Sequence, residues 1–203
     1  MIKHIINDDF KVIVFDLNGT LTSRVSDHPE HIKYRNAFIE SYLNAPIRIK
    51  LPDSTSLALN ICGINPVIYY ITRNTDIDWE KFHRFDPSLK QALTDLKGLG
   101  YKLVIYTDCL AEQVRATINI LQIDEIIDLT LTGEYNLRKP TPRAFQFIAN
   151  ELECEIDELL MVGNDLNKDL LPLRYLGGNT LLLKDQKELP EFFDFIEELN
   201  HLH

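Results

Sequence analysis

The sequence predicts an α/β fold: a doubly wound parallel sheet of Rossmann-like type, carrying an inserted, mostly helical cap subdomain. Three observations predict it. Short apolar segments alternate with amphipathic helical stretches, the pattern of strands buried on both faces and joined by helical crossovers. Acidic, hydroxyl and amide residues follow the ends of those strands, at the edge where such sheets bind ligands. The roughly 65 residues after the first strand break the alternation and read as helical, because a structureless loop of that length is uncommon.

The elements follow in order. "KVIVFD" (11–16) is the first strand, and residues 22–86 form the insertion, with "HPEHIKYRNAFIESYLN" and "DSTSLALNICG" as its clearest helical pieces. Placed directly after a strand's carboxyl end, this insertion is expected to cover the site as a cap, leaving 1–21 and 87–203 as the core. Leu89, Leu93, Leu96 and Leu99 mark one helix face, stopped by Gly98 and Gly100. "YKLVIYT" (101–107) is the next strand, and Leu110, Val114, Ile118 and Leu121 mark the helix after it. "IIDLTL" (126–131) follows, then a helix through Phe145, Ile148 and Leu152 that begins at Pro142, where proline suits a first turn. "ELLMVG" (158–163) and "TLLL" (180–183) complete the strands.

Composition narrows the function. With 45% hydrophobic and 26% charged residues, the 203-residue chain has the profile of a globular protein with a sizeable core. A net charge of -10 opposes nonspecific binding to nucleic acid. Cys62, Cys109 and Cys154 are widely spaced and form no CxxC pair, so neither a disulfide framework nor a zinc site is expected. No stretch reads as a signal peptide or membrane span, and a reducing, cytoplasmic location without membrane association is the expectation.

Four strand ends supply chemistry. The first gives Asp16 with Asn18, Gly19 and Thr20; the second gives Thr107 and Asp108; the stretch after the third gives Arg138 and Lys139; the fourth gives "GNDLNKD", with Asn164, Asp165 and Asp169. Phosphoryl transfer needs a carboxylate to attack phosphorus, a divalent cation beside it, and a hydroxyl and an ammonium to hold the remaining oxygens. Asp16, a cation held by carboxylates of residues 164–169, Thr107 and Lys139 could fill those parts. Taken singly, each residue also has a plainer reading: Asp16 and Asp108 as turn or cap residues, Arg138 and Lys139 as solvated cations, Asp165 and Asp169 as complements to a helix dipole. Their shared order along one sheet edge favours the chemical reading.

That order resembles the haloacid dehalogenase superfamily, whose four motifs look like "FDLNGTL", "VIYTD", "RKPTPRAF" and "VGNDLNKD" here, over residues 11 to about 183. The resemblance implies a Mg2+-dependent phosphatase acting on a small phosphorylated metabolite. It makes Asp16 the nucleophile that forms an aspartyl-phosphate, Thr107 a phosphoryl ligand and Lys139 the cation that neutralises nucleophile and substrate. Leu17, Thr107, Asp108 and Lys139 would contact substrate. Magnesium would be held by Asp16, the backbone carbonyl of Asn18 and the fourth motif, through Asn164 or Asp165 together with Asp169.

Two positions depart from the family pattern. The residue two after the nucleophile is usually an aspartate that protonates the leaving group, and Asn18 cannot exchange a proton. Asn164 stands where an acid commonly follows "VG". These departures keep other readings in play: a weak or inactive relative that binds a phosphorylated ligand or protein partner, a phosphotransferase or ATPase-like enzyme, and a carbon-halogen hydrolase. Four other features carry less. They are His28 and His31 as a metal pair, a Cys109 thiol acidified by a helix N-terminus, Tyr69, Tyr70 and Arg73 of "YYITRN", and Arg48 with Lys50.

Overall fold

The computed structural model describes residues 2–5, 8–73, 78–134 and 137–201. They divide into two compact units, Met1–Ser23 with His83–His203, and Arg24–Phe82.

The first unit is built on β1 (Ile2–His4), β2 (Val12–Phe15), β3 (Lys102–Tyr106), β4 (Leu129–Leu131), β5 (Leu159–Gly163) and β6 (Asn179–Leu182). They form one sheet in the order β1-β6-β5-β2-β3-β4. All neighbours are parallel except β1, which runs antiparallel along the β6 edge. The helices of this unit are α4 (Pro87–Gly98), α5 (Ala111–Leu121), α6 (Pro142–Glu151), α7 (Leu171–Arg174) and α8 (Leu189–His201).

The uniformly apolar strands have a direct cause. Successive side chains point to opposite faces, and both faces are covered. Ile13, Phe15, Ile105 and Val162 pack with Leu93, Ile118 and Phe192 from α4, α5 and α8, whereas Val12, Val14, Val104 and Met161 pack with Phe145 and Leu173 from α6 and α7. Phe15 lies level with Ile105 and Val162, so β2, β3 and β5 end side by side. Asp16, Thr107 and Asn164, each just past a strand terminus, therefore emerge along one edge.

Three expectations are adjusted. Residues 126–131 are strand only over Leu129–Leu131, because Asp128 turns its side chain and backbone to the start of β3: its Oδ2 accepts from Leu103 N at 2.7 Å and its N donates to Leu103 O at 2.8 Å. Strand β1 is too short for its alternation to register in sequence. Helix α8, with Leu189, Phe192 and Ile196 buried at helical spacing, adds a further layer element beyond those read above.

The second unit contains α1 (Pro29–Leu43), α2 (Thr55–Ile61) and α3 (Pro66–Arg73). Helix α1 starts on Pro29, with the His28 side chain accepting from Glu30 N, and ends at Asn44 in the left-handed region. Its core is Phe38, Ile39, Leu51, Ala58, Leu59, Ile64 and Tyr69. Arg35 is 1% exposed and pins the chain ahead of α2, donating to the carbonyls of Pro52 at 2.6 Å and Asp53 at 2.9 Å. Buried beside Arg35 and packed edge-on against Tyr69 and Phe82, His31 has its pKa lowered to about 4 by burial and by that cation. Among the described residues no group of three or more His, Cys, Asp or Glu is arranged to hold a metal, so His28 and His31 gain no third ligand. Tyr69 belongs to the core of the unit, and the Arg73 side chain and Asn74 lie outside the described residues.

Candidate active site

Asp16 continues β2 by one residue: its N–H donates to Val162 O at 3.0 Å, which fixes the backbone while the carboxylate leaves the sheet edge. Lys139 meets it there. Its Nζ lies 2.6 Å from Asp16 Oδ1 and 2.8 Å from Asp169 Oδ1, and the ammonium group is almost completely buried. Asp169 is itself fully engaged, since its Oδ2 accepts from the backbone N–H groups of Asn164 at 3.1 Å and Asp165 at 2.9 Å.

The charge balance of this triad decides its electrostatics. One ammonium serves two buried carboxylates, so the cation is favoured and the Lys139 pKa rises despite burial. Asp16 shares that lysine and is removed from water; burial and the nearby Asp169 raise its pKa to about 6, with Lys139 opposing them. A surplus negative charge thus remains at the strand end.

Backbone geometry makes room for this arrangement. A Cβ on Gly163 would fall 2.5 Å from Asp169 Oδ2 and 2.6 Å from Asp169 Cβ, so only glycine lets the Asp169 side chain fold back against β5. Asp169 reaches that point because residues Leu166–Leu170 form a wide π-helical turn rather than a regular helix start. Asp165 caps this turn, its Oδ1 accepting from Asn167 N and Lys168 N, both at 3.0 Å. The fourth motif therefore divides its work: Asp169 meets the lysine, Asp165 holds the turn, and Asn164 faces the first motif.

Asn164 Nδ2 donates to the backbone carbonyl of Asn18 at 3.0 Å. The Asn18 side chain is held on both sides, donating from Nδ2 to Cys109 Sγ at 2.9 Å and accepting at Oδ1 from Thr22 Oγ1 at 3.2 Å. Cys109 is no activated thiol: burial pushes its pKa up to about 12. Thr107 is buried and its Oγ1 accepts from Cys109 N at 3.3 Å. The Leu17 side chain lies in the core, so it offers this edge only its backbone, which hydrogen-bonds Asp16. Thr20 Oγ1 approaches Asp16 Oδ2 at 3.4 Å.

Asp108 and Tyr106 hold the loop that carries the lysine. Asp108 Oδ1 accepts from Lys139 N at 2.9 Å, and Tyr106 Oη donates to Leu137 O at 2.7 Å. Close approach of Gly133 to the Asp108 carbonyl, where a Cβ would fall at 2.2 Å, brings the chain after β4 against this point. Arg138, the other candidate anion ligand, is half-exposed and 3.8 Å from Asp108 Oδ1. Of these features, the tyrosine escaped sequence reading; its only signal is an aromatic phenol ending an otherwise aliphatic strand.

The donor set suits a hard divalent cation. The carboxylates of Asp16 and Asp169 and the Asn18 backbone carbonyl, which accepts from Asn164 Nδ2, are hard oxygen donors at this edge, and the surplus negative charge of the triad would be offset by a cation. Only two carboxylates contribute, both contacted by Lys139.

Among known proteins, the chain is 25% identical over 185 residues to a glyceraldehyde 3-phosphate phosphatase from Pyrococcus abyssi, covering 91% of this chain and 69% of the relative. Its fold is similar to that of a protein described as a predicted phosphoglycolate phosphatase from Haemophilus somnus, with a TM-score of 0.65 and 20% identity over 89% of this chain and 87% of that one. It is also similar to the Bacillus subtilis hydrolase YfnB, crystallised with magnesium, at a TM-score of 0.64 and 12% identity over 91% and 99% of the two chains. A family model for haloacid dehalogenase-like hydrolases matches residues 10–177, well over half of the sequence, and the chain belongs to that family.

Proposed function

We propose that the protein is a slow magnesium-dependent phosphatase of small phosphate monoesters, with Asp16 as nucleophile. The observation that carries this reading is the buried Lys139 ammonium bridging Asp16 and Asp169 at the carboxyl edge of the sheet. Relatives named for three-carbon and two-carbon phosphate esters support the substrate class.

In this reading the Asp16 oxygen not held by lysine forms a bond to phosphorus as the ester P–O bond breaks. The departing oxygen takes its proton from solvent, because Asn18 has none to give. Water then attacks the phosphorus of the aspartyl-phosphate, the P–Oδ bond breaks, and inorganic phosphate leaves with the Asp16 carboxylate restored. Lys139 offsets charge on the attacking carboxylate and the phosphoryl oxygens, while Thr107 donates to the phosphoryl group. Asp16, the Asn18 carbonyl and Asn164, its amide turned from the hydrogen bond to that carbonyl so that the oxygen faces the metal, would hold magnesium together with Asp169. Bound there, the metal supplies positive charge to the phosphoryl group and the nucleophile. Residues 22–86 would act as the cap that selects the ester, and the free cysteines suit a cytoplasmic setting.

Phosphate release from a panel of monoesters with magnesium tests the proposal. Asp16→Ala should abolish it, and activity that survives this change would rule out the mechanism. Asn18→Asp should raise turnover, toward the ~100- to 10,000-fold that general acid-base help supplies. The immobilised Asn18 amide favours one second reading, binding of a phosphorylated ligand without turnover. Thermal stabilisation by the same esters with no phosphate released would select it.

A further inference from the structure

The ring and the hydroxyl of Tyr106 both reach the segment that carries Lys139. Tyr106 ends β3 and is fully buried. One side of its ring packs edge-on against Phe145, with centroids 5.6 Å apart. The ring centroid also lies 5.0 Å from Lys139 Nζ, within the range of a cation-π contact. Its hydroxyl donates to the carbonyl of Leu137, two residues before the lysine. A buried phenol needs such an acceptor, and filling the space alone would ask only for phenylalanine or leucine, as at the aliphatic positions below it on the strand. A phenol is protonated throughout the neutral range, and burial raises the Tyr106 pKa further, so it stays a donor. Asp108, two residues on, fixes the backbone N–H of Lys139 itself.

We infer that Tyr106 is a positioning residue for Lys139: its hydroxyl anchors the loop at Leu137 and its ring supports the ammonium, so that the lysine stands between Asp16 and Asp169. Only the catalytic consequence rests on the phosphatase reading; the placement of the lysine does not.

The test separates the two. The intact protein is labelled with acetic anhydride at neutral pH, and modification of each lysine is followed by mass spectrometry, with exposed Lys11 as internal reference. Lys139 should be protected in the wild type. Its labelling should rise about fivefold in Tyr106→Phe, the equivalent of one lost hydrogen bond, and more than tenfold in Tyr106→Leu, which also removes the ring. Leu121→Ala, in the core on the other sheet face, controls for lowered stability and should leave Lys139 labelling within twofold. Unchanged Lys139 labelling in folded Tyr106→Leu, or an equal rise in the Leu121 variant, overturns the inference. Phosphate release is measured on the same samples. If none is seen even in the wild type while labelling behaves as expected, the phosphatase reading falls and the positioning role stands.

Discussion

The two ends of the sheet hold the same kinds of charge in opposite ways. At the carboxyl edge, one ammonium is buried between two carboxylates. At the amino edge, Lys97 meets Asp128 at 2.6 Å with both side chains about one-third exposed, and Lys11 meets Glu158 at the surface. The amino-edge pairs are one-to-one and wetted by solvent, so they hold neighbouring segments together at small net gain. The carboxyl-edge cluster is two-to-one and dry, so its members depend on each other. Charge that is solvated and paired at one edge is dry and shared at the other, because water and an equal number of partners are both withheld.

The comparison can be broken by removing its pivot. Lys139→Ala leaves two buried carboxylates facing each other and should cost about 3–5 kcal/mol in denaturant unfolding at pH 7. The loss should shrink at pH 5, where Asp16 can be protonated. A loss no larger than that of a surface lysine would mean the triad is hydrated and the contrast false.

The next effect has the opposite sign. The Asp16 pKa rises from 3.8 to about 6 in the folded protein, chiefly through burial. A carboxyl whose folded pKa is raised weakens the fold as pH climbs from its unfolded value through the folded one. Asp16→Asn should therefore stabilise the metal-free protein by up to ~3 kcal/mol at pH 7, with the gain vanishing toward pH 4. Thermal unfolding in chelator from pH 4 to pH 8 measures this. A constant difference across that range would contradict the proposed cause.

Gly163→Ala tests the space rather than the charge. The added methyl meets the Asp169 side chain, and a cost of about 1–3 kcal/mol is expected, with Asp169 displaced. A neutral result would show that β5 can shift without disturbing the lysine. Smallest of all, Lys97→Ala at the amino edge should cost at most ~1 kcal/mol, and that little should fade in high salt.

Sequence made the strands and their common edge readable, because "VIVF", "LLMVG" and, after its first lysine, "KLVIY" run apolar without alternation, and only a sheet covered on both faces asks for that. Asp16, Thr107, Lys139 and the fourth-motif acids could be assigned to that edge for the same reason. Their pairing could not. Asp165 and Asp169 look equivalent in "NDLNKD", and it takes the wide turn at Leu166–Leu170 to send one to the lysine and make the other a cap. Asn164 and Asn18 stand far apart in the chain and meet only through the side-by-side ends of β2 and β5. The role of Tyr106 was hidden because a strand residue's apolar face accounts for its burial, and nothing in sequence says where a hydroxyl will find its acceptor.

The register of β2 has a bearing on how the chain is made. Its partners begin at Lys102 in β3 and at Leu159 in β5, while the strand itself is complete by Phe15. During synthesis, "VIVF" leaves the ribosome on the order of ten seconds before either neighbour exists. In that interval it is a bare, uncharged, strand-prone segment of the kind that pairs with other chains. Charged residues flank it on both sides, Asp8, Asp9 and Lys11 upstream and Asp16 at its end. The carboxylate at the strand end thus stands where a charge would oppose such pairing, before there is a site at all.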